Sequence, residues 1–422
     1  MLIVAEERYF HDILVPTVNS RHKTSVQVMS SVGDSIEFLK RTHVLVEPGT
    51  IHIQRNSRHF DKLFEITGVK VSMHAKKTPC HDLMNEPDKT NELDPAKASL
   101  YRSAIGVLMY LSSDLIECAY TIRGLAQYMA KPTQRSWVLL RRLCLYRISV
   151  RHNVLRLKVK PNGLWHSPET DEGPVLELFS DSDWATHKAT RRSVSAGFAF
   201  FAGCLLLATS RTQRIISLSS AEAEVVAAVS TVCDGMLLQL CLIFCLGYHV
   251  RLKLSLDNTA ARHILQRSGV GRVRHLSCRL LWIQQHAKDK RLETASIPTK
   301  KNTADLATKK LSRDRMEYLM RMVGIYNEST NELVGTDVHM RDQQGESVSQ
   351  VLRLMIQSSG ELPTHKSVMS AKRSLQFIML MTMMTEADAL SPGFFVERPY
   401  IPLMETMFLI CAVVVVFVIR CI

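Results

Sequence analysis

The sequence predicts an α/β protein, and three observations carry that prediction. The runs VLELF and RLKLSL alternate apolar and polar residues, are rich in β-formers, and each stop close before an acidic residue. Between them, Ser219-Ser220 opens a long apolar-rich segment that reads as a helix up to about Gly247. Ahead of both lies a second helical region, from Ala98 to Ser149. At 422 residues the chain is long enough for two or three domains, and 46% hydrophobic content is ordinary for a globular protein.

In order along the chain, Met1 to Val32 carries little pattern, and its start resembles no signal peptide because Glu6, Glu7 and Arg8 interrupt any apolar stretch. From Gly33, IEFLKRTHVLV and IHIQ read as two strands joined by a turn containing Pro48 and Gly49. A helix follows in RHFDKLFEITGV and ends at Gly68. Residues Ser72 to Ala96, with Pro79, Pro87 and Pro95, read as a connecting loop. The helical region then runs through LYRSAIGVLMYLSS, LIECAYTIRGLAQYMAK, a break at Pro132, and QRSWVLLRRLCLYRIS.

Four acidic residues stand at strand ends or helix starts in the second half: Asp181, Glu224, Asp257 and Asp305. Ser219 and Glu222 have capping-box spacing, which gives Glu222 a local task at the helix start. Glu224 lies two residues on, roughly 200° around the axis, so only one of the two carboxylates can face a sheet. Glu224 is the one expected there. Asp305 follows Asn302 and Thr303, good capping residues, and a carboxylate in a first helical turn is also explained by the helix dipole alone. Carboxylates brought together raise one another's pKa unless positive charge lies between them. Oxygen-only ligation favours Mg²⁺ or Mn²⁺, and a pair of such ions supports in-line attack of water on a phosphodiester.

The net charge of +13 points to an anionic partner, with nucleic acid foremost. Arg141, Arg142, Arg147, Arg151, Arg156, Lys158 and Lys160 form a basic stretch that either tracks a phosphate backbone or is a solvated face. The ten cysteines show no zinc spacing; reduced thiols in an intracellular setting, cytoplasm or nucleus, are the simplest explanation.

The segments FSDSDWA, TRRSVSAGFAFF, SLSSAEAEVVAA, LDNTAA and IPTKKNTADLATK occur in series. They resemble the ribonuclease H domain of Ty1/copia-type retrotransposon polyproteins, over about Leu176 to Tyr326. The resemblance implies a ribonuclease H-like five-stranded mixed sheet with flanking helices. In this chain LELFS, AGFAFFAG, and LLLATSR with RIISL would form an antiparallel meander. RLKLSL would lie parallel to the first strand after a helical crossover, and ETASI would add the fifth. It also implies that Asp181, Glu224, Asp257 and Asp305 are the catalytic, metal-binding carboxylates, that two Mg²⁺ or Mn²⁺ ions are the cofactors, and that an RNA·DNA hybrid is the substrate. Arg191, Arg192, Asn258, Arg141 and Arg142 are candidates for contacts to the nucleic acid, with Lys188 and Lys309 weaker ones. His263, His275 and His286 are given no catalytic role. One departure is visible: the family usually has an acidic residue shortly after a basic residue-His pair, whereas Arg274-His275 is followed by Leu276, Ser277 and Cys278.

Tyr101, Gly106, Tyr110, Leu111 and Pro132-Thr133 match a pattern recurrent after the polymerase palm in the same polyproteins, which implies a mostly helical reverse transcriptase thumb and connection region. No Asp-Asp dipeptide occurs in the 422 residues, so polymerase activity is not expected here; a reverse transcriptase would have to act in trans. The expected divisions are an unassigned remnant at 1–32, a thumb/connection-like region at 33–165, a ribonuclease H-like domain at 166–330, a flexible polar tail at 331–398 and a hydrophobic segment at 399–422. Within the last, Met407 to Ile419 is 13 apolar residues, short of the roughly 20 that span a bilayer. Two other readings stay open: a catalytically inactive retrotransposon remnant that binds nucleic acid, and a membrane-tethered interaction protein.

Overall fold

The computed structural model describes residues 31–38, 40–55, 57–160, 173–246, 249–269 and 280–334, together with Asp12, Pro16, Met29 and Gly271. The expectations for most of 1–32, for Arg274-His275, for the tail from 335 onward and for the run 407–419 lie outside these residues.

The first strands are β1 (Ser35–Phe38), β2 (Arg41–Glu47) and β3 (Thr50–Arg55). IEFLKRTHVLV is therefore two strands rather than one. Lys40 has φ +58° and lets the chain reverse between them, while Gly49 at φ +74° follows Pro48 in the second turn. Helix α1 (Ser57–Thr67) ends at Gly68, whose φ of +63° suits a helix stop. Helix α2 (Pro95–Tyr110) starts earlier than Ala98: Asp94 accepts from the Lys97 amide at 2.9 Å and Pro95 occupies the first turn. Helix α3 (Ala119–Ala126) precedes the break at Pro132, and α4 (Gln134–Ser149) is opened by a reciprocal cap between Thr133 and Ser136. Strand β4 (Asn153–Lys158) closes the first half.

The second half begins with β5 (Val175–Asp183), β6 (Val194–Phe201) and β7 (Cys204–Thr212). Phe201 pairs with Cys204 across Ala202-Gly203, both at positive φ, as a tight hairpin turn requires. RIISL does not join the third strand; β7 ends at Thr212 and the chain turns away toward α5 (Ser220–Leu246). Then come β8 (Arg251–Leu256), α6 (Thr259–Gln266), α7 (Trp282–Lys288), β9 (Glu293–Ser296), α8 (Asp305–Thr308), α9 (Arg313–Met322), β10 (Ile325–Asn327) and β11 (Glu332–Leu333).

Two sheets result. The five-stranded one has the order β7-β6-β5-β8-β9, antiparallel on the β5 to β7 side and parallel from β5 through β8 to β9. The protein is thus α/β with a mixed five-stranded sheet. Strand β6 is buried along its whole length because both faces of the sheet are covered. On one face Phe198 and Phe200 belong to a core shared with Tyr101, Leu125, Leu140 and Leu306. On the other, Ala199, Phe201, Leu178 and Leu254 pack with Val225, Ala228 and Val232 of α5. The six-stranded sheet has the order β1-β2-β3-β4-β10-β11, so strands on both sides of residue 165 share it.

Helix α5 lies close on its sheet because two glycines allow it. A Cβ at Gly197 would collide with the Thr231 side chain, and one at Gly235 with Leu178. Among the described residues α5 is the one helix long and apolar enough to cross a membrane, yet half of its apolar stretch is buried within the protein, as in a core helix.

Candidate metal centre

The sheet topology brings three of the four acidic residues together. Strand β5 carries Asp181 near its carboxyl end, continuing three residues further than LELFS, to Asp183. Its parallel neighbour β8 ends at Leu256, which delivers Asp257 alongside. Helix α5 crosses β5 with its first turns above these strand ends and turns Glu224 inward. Glu222 faces the other way: its amide donates to Ser219 Oγ at 3.2 Å, and its carboxylate accepts from the Leu218 amide at 2.7 Å. The capping expectation holds, with the reciprocal bond taken by Leu218 rather than Ser219.

One carboxylate oxygen from each of Asp181, Glu224 and Asp257 lies within 4.8 Å of the other two. Asp181 is 1% exposed and Glu224 6%. Burial pushes the Glu224 carboxyl up to about 9, with the charges of Asp181 and Asp257 adding to the effect. Burial likewise pushes Asp181 up to about 7, against the opposing pull of Lys309 and a Thr308 hydrogen bond. Glu224 Oε2 is buried with no hydrogen-bond partner.

Asp305 is built into the neighbourhood differently. It is buried in the first turn of α8, whose start is tied to β5 by Asn302: its side chain donates to the Ser180 carbonyl at 3.1 Å and accepts from the Ala304 amide at 3.2 Å. Asn302 and Thr303 do not cap the helix themselves; Ala304 stands at that position. The two Asp305 oxygens accept from Lys309 Nζ at 2.9 Å and Arg315 Nη2 at 3.0 Å. Lys309 Nζ also reaches Asp181 at 3.1 Å, and Thr308 Oγ1 donates to Asp181. Burial alone would lower the Lys309 pKa, but the two carboxylates outweigh it and raise it.

Thr308 and Arg315 had no place in the sequence reading, and Lys309 only a faint one. The spacing of Lys309, four residues after Asp305 on a helix, was the signal available. Arg315 belongs to the next helix and announces itself by nothing local.

The candidate nucleic-acid contacts divide. Arg191 and Arg192 are exposed in the β5–β6 connection, Arg191 at φ +56°. Asn258 caps α6 by accepting from the Ala261 amide at 2.9 Å. Arg142 is committed to the Cys80 carbonyl and Thr78 Oγ1, both at 3.1 Å, and Arg141 is half-buried. Most of the basic stretch is spent internally. Arg147 is buried against Glu117, and Arg156 and Lys158 pair with Glu47 at 2.8 and 3.1 Å. Lys188 pairs with Glu86.

The chain is 25% identical over 231 residues to the retrovirus-related Pol polyprotein from transposon TNT 1-94 of Nicotiana tabacum, which is 54% of this chain and 16% of that protein. It is 26% identical over 229 residues to the corresponding polyprotein from transposon RE2 of Arabidopsis thaliana, 53% of this chain and 15% of the relative. The chain is related to copia-type retrotransposon Pol polyproteins. An uncharacterized mitochondrial protein of Arabidopsis thaliana is 32% identical over 125 residues, 29% of this chain and 47% of that protein. No family model matches the chain. The Pol relatives are matched over about one-sixth of their length, so the chain spans only a small part of them.

Proposed function

We propose that the chain is a metal-dependent nuclease of the ribonuclease H type, hydrolysing the RNA strand of an RNA·DNA hybrid. The observation that carries this reading is the convergence of Asp181, Glu224 and Asp257 from β5, α5 and β8 to within 4.8 Å. The order of the mixed five-stranded sheet and the relatedness to Pol polyproteins support it.

The residues present fit a hard divalent cation. The donors are all carboxylate oxygens, which suits Mg²⁺ or Mn²⁺ rather than zinc. A buried Glu224 oxygen without a partner is what an ion would satisfy. Asp181, Glu224 and Asp257 would hold it, with Asp305 supplying a fourth carboxylate beside Asp181. The bound cation would lower the pKa of an attacking water and stabilise charge on the leaving oxygen.

The chain's own residues account for the rest. Asn302 fixes the Asp305 turn against the backbone next to Asp181, and Thr308 orients the Asp181 carboxylate. Burial of Asp181 and Glu224 excludes water that would screen their charge. Arg191 and Arg192, exposed on the β5–β6 connection, are placed to meet phosphates. Phosphate contacts give affinity without reading sequence, and the 2′-hydroxyl lets the site tell RNA from DNA.

The test is cleavage of labelled RNA in a hybrid, as a single strand, and of duplex DNA, each with Mg²⁺ and with chelator. Mg²⁺-dependent cleavage of the hybrid alone, lost in Asp257→Asn, is expected. Equal cleavage by the native chain and Asp257→Asn would remove the mechanism.

A further inference from the structure

Asp181 belongs to two groupings at once. With Glu224 and Asp257 it forms the three-carboxylate cluster. With Asp305 it shares the ammonium of Lys309, which lies 3.1 Å from Asp181 and 2.9 Å from Asp305. Both of these carboxylates are almost fully buried, at 1% and 6% side-chain exposure, whereas the Lys309 side chain is 33% exposed. Lys309 is aimed by its helix: it follows Asp305 by four residues at the end of α8 and so projects over the same turn.

Resting on the metal-centre reading above, we infer that Lys309 is a built-in counter-cation that holds the Asp181–Asp305 half of the site and must withdraw before a second divalent ion can bind there. An ammonium between two carboxylates supplies the positive charge that would otherwise come from an ion. Its charge sits on a flexible four-carbon stem with a partly open path to solvent, so it can leave without main-chain movement. Asp305 does not lose all compensation when it goes, because Arg315 remains on the other oxygen at 3.0 Å. Glu224 Oε2, by contrast, has no competing cation on it. The two halves therefore fill unequally. The Asp181–Glu224–Asp257 half takes the first ion, and the Asp181–Asp305 half takes another only in competition with Lys309.

Mn²⁺ titration of the full chain, followed by calorimetry and by the loss of free Mn²⁺ signal in electron paramagnetic resonance, tests this. The native chain is expected to bind one ion readily and a second weakly. In Lys309→Met the second half-saturation point should fall by about one to three powers of ten, the scale on which a charge at this range shifts a carboxylate's affinity for a cation. Lys309→Arg, which keeps the charge, should behave like the native chain. A second equivalent bound equally well by the native chain and Lys309→Met overturns the inference while leaving the metal centre standing. No Mn²⁺ bound by any of the three overturns both. Should Lys309→Met fail to fold, the native chain still answers. Acetylation of Lys309 by an N-hydroxysuccinimide ester, read by mass spectrometry, should rise as Mn²⁺ reaches the second equivalent, and unchanged labelling refutes the displacement.

Discussion

Glu224→Gln is expected to make the metal-free protein more stable at neutral pH, even though it removes a residue of the site. In the folded chain the Glu224 carboxyl is pushed up from 4.5 to about 9, through burial first and the nearby Asp181 and Asp257 second. A folded-state value above the unfolded one means that the native state holds a proton which the unfolded chain has released. Stability is then fully present below the unfolded value and falls as pH rises from about 4.5 towards 9. At pH 7 the unfavourable contribution is about 3 kcal/mol, from 1.36 kcal/mol per unit. A glutamine of the same shape cannot ionise. Because Glu224 Oε2 makes no hydrogen bond, the amide forfeits none there. Urea unfolding with chelator at pH 5, 7 and 8.5 is the assay. The native chain should lose stability across this series. Glu224→Gln should lose less, with a residual slope from Asp181, and should exceed the native chain by roughly 2–3 kcal/mol at pH 7. A Glu224→Gln variant that is less stable than the native chain at pH 7, or that keeps the full native slope, refutes the reasoning.

Other perturbations follow from the same packing. Asp114→Ala leaves Arg41, 5% exposed and bonded to both Asp114 oxygens at 2.8 Å, without its carboxylate partner and with Ser113 Oγ still at 3.2 Å; denaturant unfolding should show a loss of about 3–5 kcal/mol. Gly197→Ala places a Cβ against Thr231 and should cost roughly 1–3 kcal/mol by thermal unfolding, partly recovered when combined with Thr231→Ala. Thr308→Val removes the hydroxyl that donates to buried Asp181 and should cost about 1.5–3 kcal/mol at pH 8, where Asp181 is ionised, and less at pH 5. A loss equal at both pH values would show that the bond does not depend on the charged carboxylate.

The elements around the carboxylates were legible because their signals are local. Alternation in LELFS and RLKLSL marked two strands, and the Ser219–Glu222 spacing marked the start of α5. The two-residue offset then meant that only one carboxylate could face inward, and the capping task of Glu222 pointed to Glu224. The first hairpin was missed because a lysine at positive φ, not glycine, makes the reversal at Lys40. RIISL carries β-forming residues, yet the chain needs those positions to climb from β7 to α5. The partners of the basic stretch were equally illegible. Glu47, Glu117 and the Cys80 carbonyl come from segments 30 or more positions away in sequence, and nothing periodic links them to the arginines. The pairing of β10 with β4 is of the same kind, since a three-residue strand at Ile325–Asn327 gains its meaning only from Asn153–Leu155 opposite. Asp305 was placed at a helix start from sequence, but the pairing that engages its oxygens became visible only when α9 delivered Arg315.

The most direct test is anomalous scattering from crystals of the full chain soaked in Mn²⁺. We expect a peak bounded by Asp181, Glu224 and Asp257, with an oxygen of each at roughly 2.0–2.3 Å. A peak absent from that position while the three carboxylates stay in place, or one held by other residues, would contradict the assignment of these side chains to a divalent cation.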